Sequence, residues 1–410
     1  MIPAHKIAPP KWMRARETRA VVAALTKDGA PARFVGGCVR DTVAGRTVKD
    51  VDIATPLPPD RVMALLAEAK LRAIPTGISH GTVTAISGGK PFEVTTLRRD
   101  VETFGRHARV AFTDDWEADA ARRDFTMNAL YADADGTIYD PTGGLADLAR
   151  GRVRFVGNAT ARIEEDVLRL LRFFRFHAHF GRGEPDKEAL AACRALAPKI
   201  ESLSGERVHA ELFRLLEAKE PAKVTALMAR LGVLRHVARG FTNHQRLAAL
   251  TRLEREPEAL LRLGAALSTQ KTDPIADRLR LSNAERDRLA AMMGTPRPTP
   301  TLDARARRRL LYQLGPSTFR DRAMLARAEH PRGAWGPLLA AVGRWKKPML
   351  PIAGRDVRAL GVAQGPEIGK RLSAVERWWI ERDFRPGRAE CLRYLQGLDG
   401  KPRTRVKRRR

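Results

Sequence analysis

The apolar residues of this chain change their spacing near residue 160, and this change limits the folds that the sequence can adopt. Before residue 150, short segments such as "KDVDIAT" and "PFEVTTL" alternate polar and apolar residues, which is the pattern of half-buried strands. From residue 160 onward, apolar residues recur every three or four positions, as they do in amphipathic helices. The sequence therefore predicts an α+β fold, in which a mixed sheet with helices is followed by an all-α body.

Basic residues are concentrated in the predicted helical body. Residues 1–150 contain 21 lysines and arginines against 19 acids, whereas residues 151–410 contain 54 against 28. Almost all of the net charge of +28 therefore lies after residue 150. A body of this charge attracts polyanions, of which nucleic acid is the first candidate and an anionic membrane surface the second. A generally arginine-rich proteome is the alternative, although it would raise the charge of both parts.

Membrane spans and disulfides are not expected. The sequence has no apolar run of about 18 residues, the length needed to cross a bilayer, and its N-terminus lacks the apolar core of a signal peptide. The chain has three cysteines, Cys38, Cys193 and Cys391, which are far apart in the sequence. An odd number of widely separated cysteines is typical of reduced thiols. We therefore expect a cytoplasmic protein without membrane contact, and the sequence implies no protein partner.

Two acids, Asp50 and Asp52, follow a glycine turn formed by Gly36 and Gly37. Residues two apart on a strand point to the same face, so the two carboxylates are expected side by side, where their repulsion favours a bound cation. Mg²⁺ prefers oxygen ligands and leaves positions open for phosphate, so the pair predicts a site for phosphoryl transfer. Arg40, one helical turn after the glycines, is suitably placed to hold phosphate oxygens.

Two interpretations of Glu93 remain open. On the later strand "PFEVTT", Glu93 is either a third catalytic acid or an ordinary solvated strand residue. A second Asp-x-Asp pair, Asp133 and Asp135, directly precedes Gly136 and is interpreted as a hairpin turn.

Five sequence blocks resemble, in order and spacing, the polymerase-beta-like nucleotidyltransferases, and more narrowly the bacterial class II CCA-adding enzymes with their poly(A) polymerase relatives. The blocks span about residues 30–180 and read "VGGCVRD" with "KDVDIAT", "HGTVTAI" with "FEVTTLRRD", "RRDFTMNALYAD", "DPTGGLADLARGRVRFVG" and "RIEEDVLRLLRFFRF". The resemblance implies a polymerase-beta-like catalytic head at residues 1–157 and a helical, nucleotide-selecting and tRNA-binding body at 158–292. It further implies a helical tRNA-binding tail at 305–400, and residues 401–410 are expected to form a basic disordered segment.

The resemblance also implies a role for each motif residue. Asp50 and Asp52 match the metal-binding acids, and with Glu93 they are the expected catalytic residues. The positions that match nucleotide contacts are Gly36, Gly37, Arg40, Arg122, Arg123, Asp124, Asn128, Asp166, Arg169, Arg172 and Arg175. Among these, Gly37 and Arg40 match triphosphate contacts, and the block from Arg122 to Asn128 matches contacts to ribose and phosphate.

Asp166 and Arg169 are three residues apart in a predicted helix, so they are expected to share one face. A carboxylate accepts from the exocyclic amine of cytosine or adenine, and a guanidinium donates to the neighbouring acceptor. Uracil and guanine carry a carbonyl at that place, which a carboxylate repels. In the family the matching positions select CTP and ATP, and Arg172 and Arg175 would then hold phosphates. The alternative interpretation is a salt-bridged stripe on the helix surface.

The resemblance implies that the chain adds C and A to the 3′ end of tRNA from CTP and ATP, with Mg²⁺ and without a nucleic-acid template. Three alternatives remain open. A poly(A) polymerase typically has a "GRRF"-like block where this chain has "FGRHARVAFTDD". A partial enzyme that adds only CC has a shortened loop, whereas residues 98–121 are of full length. A non-catalytic RNA-binding protein is expected to lack Asp50 or Asp52.

Overall fold

The structure is a computed structural model that describes residues 1–104 and 107–398, with side chains for all of these except residues 100–110. The predicted basic segment at 401–410 lies outside the described residues, as do two positions within "FGRHARVAFTDD". The chain divides into two compact units. The first comprises Met1–Thr251, Arg255–Ser268 and Asp273–Ser282, and the second comprises Arg252–Glu254, Thr269–Thr272 and the residues from Asn283 onward.

The first unit begins with the predicted mixed sheet. Ten strands are described: β1 (Pro3–Lys6), β2 (Arg33–Val35), β3 (Asp52–Thr55), β4 (Arg72–Gly77), β5 (Thr82–Ser87), β6 (Lys90–Thr96), β7 (Arg98–Phe104), β8 (His107–Phe112), β9 (Tyr131–Ala132) and β10 (Thr137–Tyr139). Eight of them form one sheet in the order β1-β10-β9-β2-β3-β6-β5-β4, in which only β3 and β6 pair in parallel. The central position of β2 and β3 places the glycine turn and the following acids in the middle of the sheet.

Helices cover the sheet and form the rest of the first unit. In this unit they are α1 (Lys11–Arg14), α2 (Arg16–Leu25), α3 (Gly37–Val43), α4 (Pro59–Glu68), α5 (Trp116–Ala121), α6 (Gly144–Arg150), α7 (Ala159–Glu165), α8 (Leu168–Phe180), α9 (Lys187–Leu196), α10 (Gly205–Leu216), α11 (Pro221–Arg230), α12 (Leu234–Val237), α13 (His244–Leu253), α14 (Ala259–Ala266) and α15 (Asp273–Arg278). Short 3-10 turns occur at Ile78–His80, Thr126–Asn128 and Ala197–Ser202.

The second unit is helical throughout its described part. Its helices are α16 (Asn283–Met293), α17 (Ala304–Glu329), α18 (Trp335–Gly343), α19 (Gly354–Arg358), α20 (Pro366–Glu381) and α21 (Arg388–Gly397). Helix α17 bends at Gly315, which has a φ of 74° and precedes Pro316. The predicted α+β class is confirmed. The first unit contains the predicted head and most of the predicted body, and the finer domain boundaries stay a prediction.

Most of the predicted strands and turns are present. Strands β5 and β6 form the hairpin predicted at "SGGK", with Ser87 opposite Lys90, and β9 and β10 form the hairpin that turns at Gly136. The full-length loop predicted within residues 98–121 contains a further hairpin, β7–β8, and then α5.

Two predicted helices are interrupted. The segment "RIEEDVLRLLRFFRFHAHF" breaks between α7 and α8, and "EPAKVTALMARLGVLRHV" breaks at Gly232, which has a φ of 73°. Apolar spacing continues across both breaks, so it could not reveal them.

The sequence predicted reduced cysteines and no membrane span. Cys38, Cys193 and Cys391 are free and buried, as expected. Within the described ranges, we find no helix that combines the length and the hydrophobicity needed to cross a bilayer.

The first prediction concerns the edge strand β1. Ile7 donates its backbone N–H to the carbonyl of Gly136 at 3.0 Å, and a Cβ added at Gly136 would lie 2.1 Å from the Ile7 carbonyl oxygen. Gly136→Ala should therefore displace β1 in addition to straining a φ of +87°. We expect a loss of about 3 kcal/mol or more in the free energy of unfolding, measured by urea denaturation.

Gly29→Ala is the matched control, because Gly29 has a similar φ of +84° and no neighbouring atom within 4 Å of an added Cβ. Its cost should be limited to the backbone strain of about 1–2 kcal/mol. Equal losses of unfolding free energy in Gly136→Ala and Gly29→Ala would show that β1 does not pack closely on the β9–β10 hairpin.

Candidate active site

A glycine turn connects the central strand β2 to helix α3. Gly36 has φ 71° and ψ −121°, a conformation open to glycine and strained for other residues, and its N–H donates to the Leu130 carbonyl at 3.1 Å. A Cβ there would lie 3.6 Å from Arg123 Nη1 and from the Asn128 carbonyl oxygen. Gly37 then begins α3. The predicted strand–turn–helix arrangement is confirmed, and it brings the glycines beside Arg123 and Asn128.

The predicted acids lie on the neighbouring strands. Strand β3 begins at Asp52, which is directly opposite Glu93 in the parallel pair with β6. Asp50 is exposed and precedes the strand, so the expectation that both acids lie on one strand is wrong, whereas their side-by-side placement stays a prediction. The pairing reaches only as far as Val51, whose carbonyl accepts from the N–H of Glu93 at 3.2 Å.

Negative charge accumulates around Asp52. Its partial burial, followed by the nearby Glu93 carboxylate, raises the pKa of Asp52 to about 6, although Arg123 acts in the opposite direction. The Asp50 carboxylate raises the pKa of Asp52 further, and the Arg40 guanidinium lowers it. The five side chains are therefore close enough to affect one another electrostatically.

The donor set of these acids fits a magnesium ion. In the part of the chain that the structure describes, the carboxylates of Asp50, Asp52 and Glu93 make no hydrogen bond or ion pair with protein groups. Oxygen ligands with uncompensated negative charge suit Mg²⁺. Within the described residues, no three histidine, cysteine or acidic side chains are placed together so that they could hold a metal ion. The arrangement therefore fits an ion that takes its remaining ligands from phosphate and water, and Glu93 stays open as a third ligand.

Arg40 is joined to helix α8 through a chain of polar contacts. Its Nη1 donates to Asn128 Oδ1 at 2.6 Å, and Asn128 Nδ2 donates to Asp124 Oδ1 at 2.9 Å. The other oxygen, Asp124 Oδ2, accepts from Arg172 Nε at 2.7 Å. Burial raises the pKa of Asp124, but Arg172 and Asn128 outweigh this and lower the pKa to about 2. Asp124 is therefore an ionised link between the head and α8.

Aromatic rings on α8 support the same arginine. The Arg40 guanidinium carbon lies 4.6 Å from the ring centre of Phe180 and 5.1 Å from that of Phe176. These distances are those of cation–π contacts. Helix α8 thus contacts Arg40 directly as well as through Asp124.

Arg122 and Arg123 share one buried acid. Arg122 Nη2 donates to Asp119 Oδ1 at 2.6 Å, and Arg123 Nη2 donates to Asp119 Oδ2 at 2.9 Å. The hydroxyl of Tyr131 also donates to Asp119 Oδ2 at 2.7 Å. Burial raises the pKa of Asp119, but Arg123 and Arg122 more than offset this and lower the pKa to about 2. Asp119 therefore fixes both predicted nucleotide-binding arginines.

The structure corrects the predicted geometry of Asp166 and Arg169. Asp166 lies between α7 and α8 with φ −149° and ψ 106°, so the two residues do not share a helix face. Its Oδ1 accepts from the Leu168 N–H at 3.1 Å, a local bond that competes with helical backbone pairing. Asp166 pairs with Arg207 at 2.8 Å, whereas Arg169 pairs with Glu165.

Arg172 and Arg175 are both held by a buried acid on α10. Glu211 accepts from Arg175 Nε at 2.5 Å and lies 3.8 Å from Arg172 Nη1. Burial works against the charge of Arg172, but Asp124 and Glu211 keep its pKa above the ordinary value. For Arg175, burial prevails over Glu211 and lowers the pKa. Both guanidiniums are thus engaged by protein acids.

Three residues of this network were not predicted from the sequence: Asp119, Arg207 and Glu211. Glu211 had a detectable signal, because it occupies an apolar position of the amphipathic helix "GERVHAELFRLL", where an acid is expected only with a partner. Asp119 is one of several acids in "DDWEADAARRD", and nothing in that segment distinguishes it. Arg207 is likewise one of many arginines in the body.

Comparison with known proteins gives a consistent result over most of the chain. Two family models match, described as "Poly A polymerase head domain" over residues 32–154 and "Probable RNA and SrmB- binding site of polymerase A" over residues 184–244. The "CCA tRNA nucleotidyltransferase 1, mitochondrial" of Mus musculus is 34% identical over 384 residues, covering 91% of this chain and 88% of the relative. The "CCA-adding enzyme" of Geobacillus stearothermophilus is 34% identical over 378 residues, covering 88% and 92%.

Solved structures agree with the sequence comparison. The crystal structure of the Bacillus stearothermophilus CCA-adding enzyme in complex with CTP has a TM-score of 0.79 and 29% identity, and covers 94% of this chain and 97% of its own. The Thermotoga maritima CCA-adding enzyme complexed with tRNA_CCA has a TM-score of 0.65 at 20% identity, with coverages of 93% and 94%. At that identity the second likeness supports the fold alone.

The second prediction concerns the buried acid Asp119. Because its pKa is lowered in the folded state, its ionisation contributes stability that is complete above the unfolded value of 3.8 and is lost as the pH falls through about 2. Asp119→Asn should lower the free energy of unfolding at pH 7 by roughly 2 kcal/mol or more, and this deficit should shrink as the pH falls from 4 to 2. Urea unfolding across this range measures the difference.

Asp135→Asn is the control, because the pKa of Asp135 is also lowered to about 2 but its partner Lys6 lies at the surface. Solvent screens such an exposed ion pair, so the loss should stay below about 1 kcal/mol. A deficit for Asp119→Asn that is the same at pH 7 and pH 2 would contradict the assigned ion pairs.

Proposed function

This chain belongs to the family of CCA-adding tRNA nucleotidyltransferases, and we propose from that membership how its residues act. The enzyme adds C and A to the 3′ end of tRNA from CTP and ATP, without a nucleic-acid template, and releases pyrophosphate. The observation that carries this function is the correspondence at 34% identity over nearly the whole length of relatives named for CCA addition. A match to the polymerase head alone would also fit a poly(A) polymerase.

Asp50 and Asp52 are proposed to hold Mg²⁺ at the central strands of the sheet. When bound, Mg²⁺ would neutralise phosphate charge and favour attack of the RNA 3′-hydroxyl on the α-phosphate. The support is the oxygen donor set with uncompensated charge and the glycine turn on the adjacent strand. Glu93 is directly opposite Asp52, which favours its role as a third acid at this site over that of an unrelated solvated residue.

The glycine turn and the arginine network are proposed to bind the nucleotide. Gly36 and Gly37 let the backbone approach phosphate closely, and Arg40 supplies positive charge beside them. Arg123 borders the turn, with Arg122 fixed by the same acid, Asp119. Asp124 and Asn128 join Arg40 to α8. Asp124 is proposed to act through these neighbours, because its oxygens are already bonded to protein donors, and Asn128 is proposed to contact ribose or phosphate with its remaining N–H.

Asp166 and Arg169 are proposed to recognise the edge of the incoming base. Asp166 does so from the break between α7 and α8, and Arg169 does so from the first turn of α8. Asp166 accepts from an exocyclic amine, and Arg169 donates to the ring acceptor beside it. Arg172 and Arg175 are engaged by Asp124 and Glu211, so in this state they orient neighbouring groups. To contact phosphate as proposed, each arginine has to donate to the incoming nucleotide while it keeps its bond to the protein acid.

The helical body and tail are proposed to bind tRNA. The charge excess after residue 150 supports this role, as does a cavity of about 420 Å³ in the second unit that Arg305, Arg382 and Arg385 line. In that cavity Asp383 is paired with Arg308. Glu390 also lines this cavity, so three arginines face two acids and leave a small positive excess that suits RNA phosphates.

A cytoplasmic location is proposed from the three free cysteines. The mouse relative is named as mitochondrial. Fractionation of the source cells, with detection of the chain by antibody, tests the compartment.

The third prediction tests the function and the metal site together. Incubation with tRNA lacking its CCA end, Mg²⁺, CTP and ATP should yield ends sequenced as two C followed by one A, whereas CTP alone should stop after two C. Asp52→Asn should reduce incorporation roughly a hundred-fold or more, because it weakens charge stabilisation at the reacting phosphate. Binding of tRNA should be unchanged, since Asp52 lies in the near-neutral part of the chain.

The control is Asp135→Asn in the second Asp-x-Asp pair, which should retain normal incorporation. Tracts of A added from ATP alone would favour the poly(A) polymerase alternative, and products that end at CC would favour a partial enzyme. No incorporation by the unmodified chain would favour an RNA-binding protein.

The fourth prediction concerns base choice. Asp166→Ala removes the acceptor for the amine and the repulsion of a carbonyl, while Asp50, Asp52 and Arg40 stay in place. The ratio of kcat/KM for CTP over UTP should fall about ten-fold or more.

Glu164→Ala is the matched control for base choice, because Glu164 is an exposed acid near Asp166 that pairs with Lys199. It should leave the CTP/UTP ratio unchanged. A ratio that is also unchanged in Asp166→Ala would support the alternative of a salt-bridged stripe.

A further inference from the structure

The backbone does not fix the direction of the Asp166 carboxylate. Helix α7 ends at Glu165 and α8 begins at Leu168, so Asp166 lies in an extended link with φ −149° and ψ 106°. A side chain in such a link is oriented by its own contacts. A carboxylate that distinguishes an amine from a carbonyl has to be held in one direction, because a freely turning carboxylate could move away from a carbonyl.

Arg207 supplies that orientation from another helix. Its Nη2 donates to both carboxylate oxygens of Asp166, at 3.0 Å to Oδ1 and 2.8 Å to Oδ2. The Leu168 N–H donates to Oδ1 at 3.1 Å. A carboxylate offers about four acceptor positions, and these three bonds leave roughly one, on Oδ2. One position suits one hydrogen of an exocyclic amine.

Helix α10, which carries Arg207, is firmly seated. A Cβ added at Gly205, its first residue, would lie 2.5 Å from the carbonyl oxygen of Arg278, so the helix start packs closely on that segment. Glu211 follows Arg207 by four residues and therefore lies on the same helix face. It pairs with Arg175 at 2.5 Å, so α10 is bonded to α8 on that face as well.

We propose that Arg207 is a positioning residue for base selection, which holds the Asp166 carboxylate so that one acceptor position faces the incoming base. The inference rests on the proposed base-reading role of Asp166. Arg207 acts through Asp166 and does not touch the base. Its loss should therefore weaken discrimination between amine-bearing and carbonyl-bearing bases while leaving tRNA use intact.

The test is a double-mutant cycle on nucleotide choice. Arg207→Met keeps most of the aliphatic stem and removes the donors. We expect the ratio of kcat/KM for CTP over UTP to fall about five- to ten-fold in Arg207→Met, with an unchanged KM for tRNA. Arg207→Lys keeps a charged donor and should restore part of the ratio. In the Asp166→Ala background, Arg207→Met should have no further effect, because its target is gone.

The ratio is independent of the fraction of folded enzyme, so it stays informative if a variant is less stable. Arg214→Ala is the matched control, since Arg214 is an exposed arginine on the same helix, and it should leave the ratio unchanged. An unchanged ratio in Arg207→Met, or equal effects of that substitution with and without Asp166, would overturn the inference. If Asp166→Ala alone left the ratio unchanged, the proposed base-reading site would fail first, and the inference with it.

Discussion

The ion pair between Asp124 and Arg172 is the contact on which the rest of the site depends. The Asp124 side chain is buried and that of Arg172 is half-buried. A buried charge without a partner costs several kcal/mol, so Asp124 depends on Arg172 as its cationic partner. The pair joins the sheet-bearing head to α8, and Asn128 extends it to Arg40 beside the glycine turn. Glu211 extends it in the other direction to α10. The groups proposed to bind phosphate are thus placed by one connected set of polar contacts, whereas Asp166 and Arg169 are held by separate ion pairs with Arg207 and Glu165.

This arrangement explains why acids are so prominent in a strongly basic chain. Asp119, Asp124 and Glu211 neutralise and orient arginines, and Asp166 is itself oriented by Arg207. Asp50, Asp52 and Glu93 differ from these four, because no protein cation pairs with them in the described residues. The distinction separates acids that organise the site from acids that are proposed to bind an ion.

Much of the fold was predictable because short segments carried their own signals. Gly36 marks a turn that only glycine adopts readily, and alternation marked β5 and β6. Residue spacing led to a wrong prediction where tertiary contacts determine the backbone conformation. Asp166 has the spacing of a helical residue, but its carboxylate is bound by Arg207 from α10, 41 positions away in the chain, and by the Leu168 N–H. Motif resemblance predicted the arginines, and the apolar helix position of Glu211 carried a signal, whereas their partner Asp119 became visible only in three dimensions.

Helix α8 has a consequence for substrates of different size. Its N-terminal turn carries Arg169, and its later turns carry Phe176 and Phe180, on which Arg40 rests. A helix rises 1.5 Å per residue and is stiff over this length, so it sets a constant spacing between the proposed base contact and the proposed phosphate contact. Cytosine and adenine share an amine edge but differ in width. Under the proposed roles, the same spacing on α8 would apply to both nucleotides, so the extra ring of adenine would have to be accommodated outside this helix.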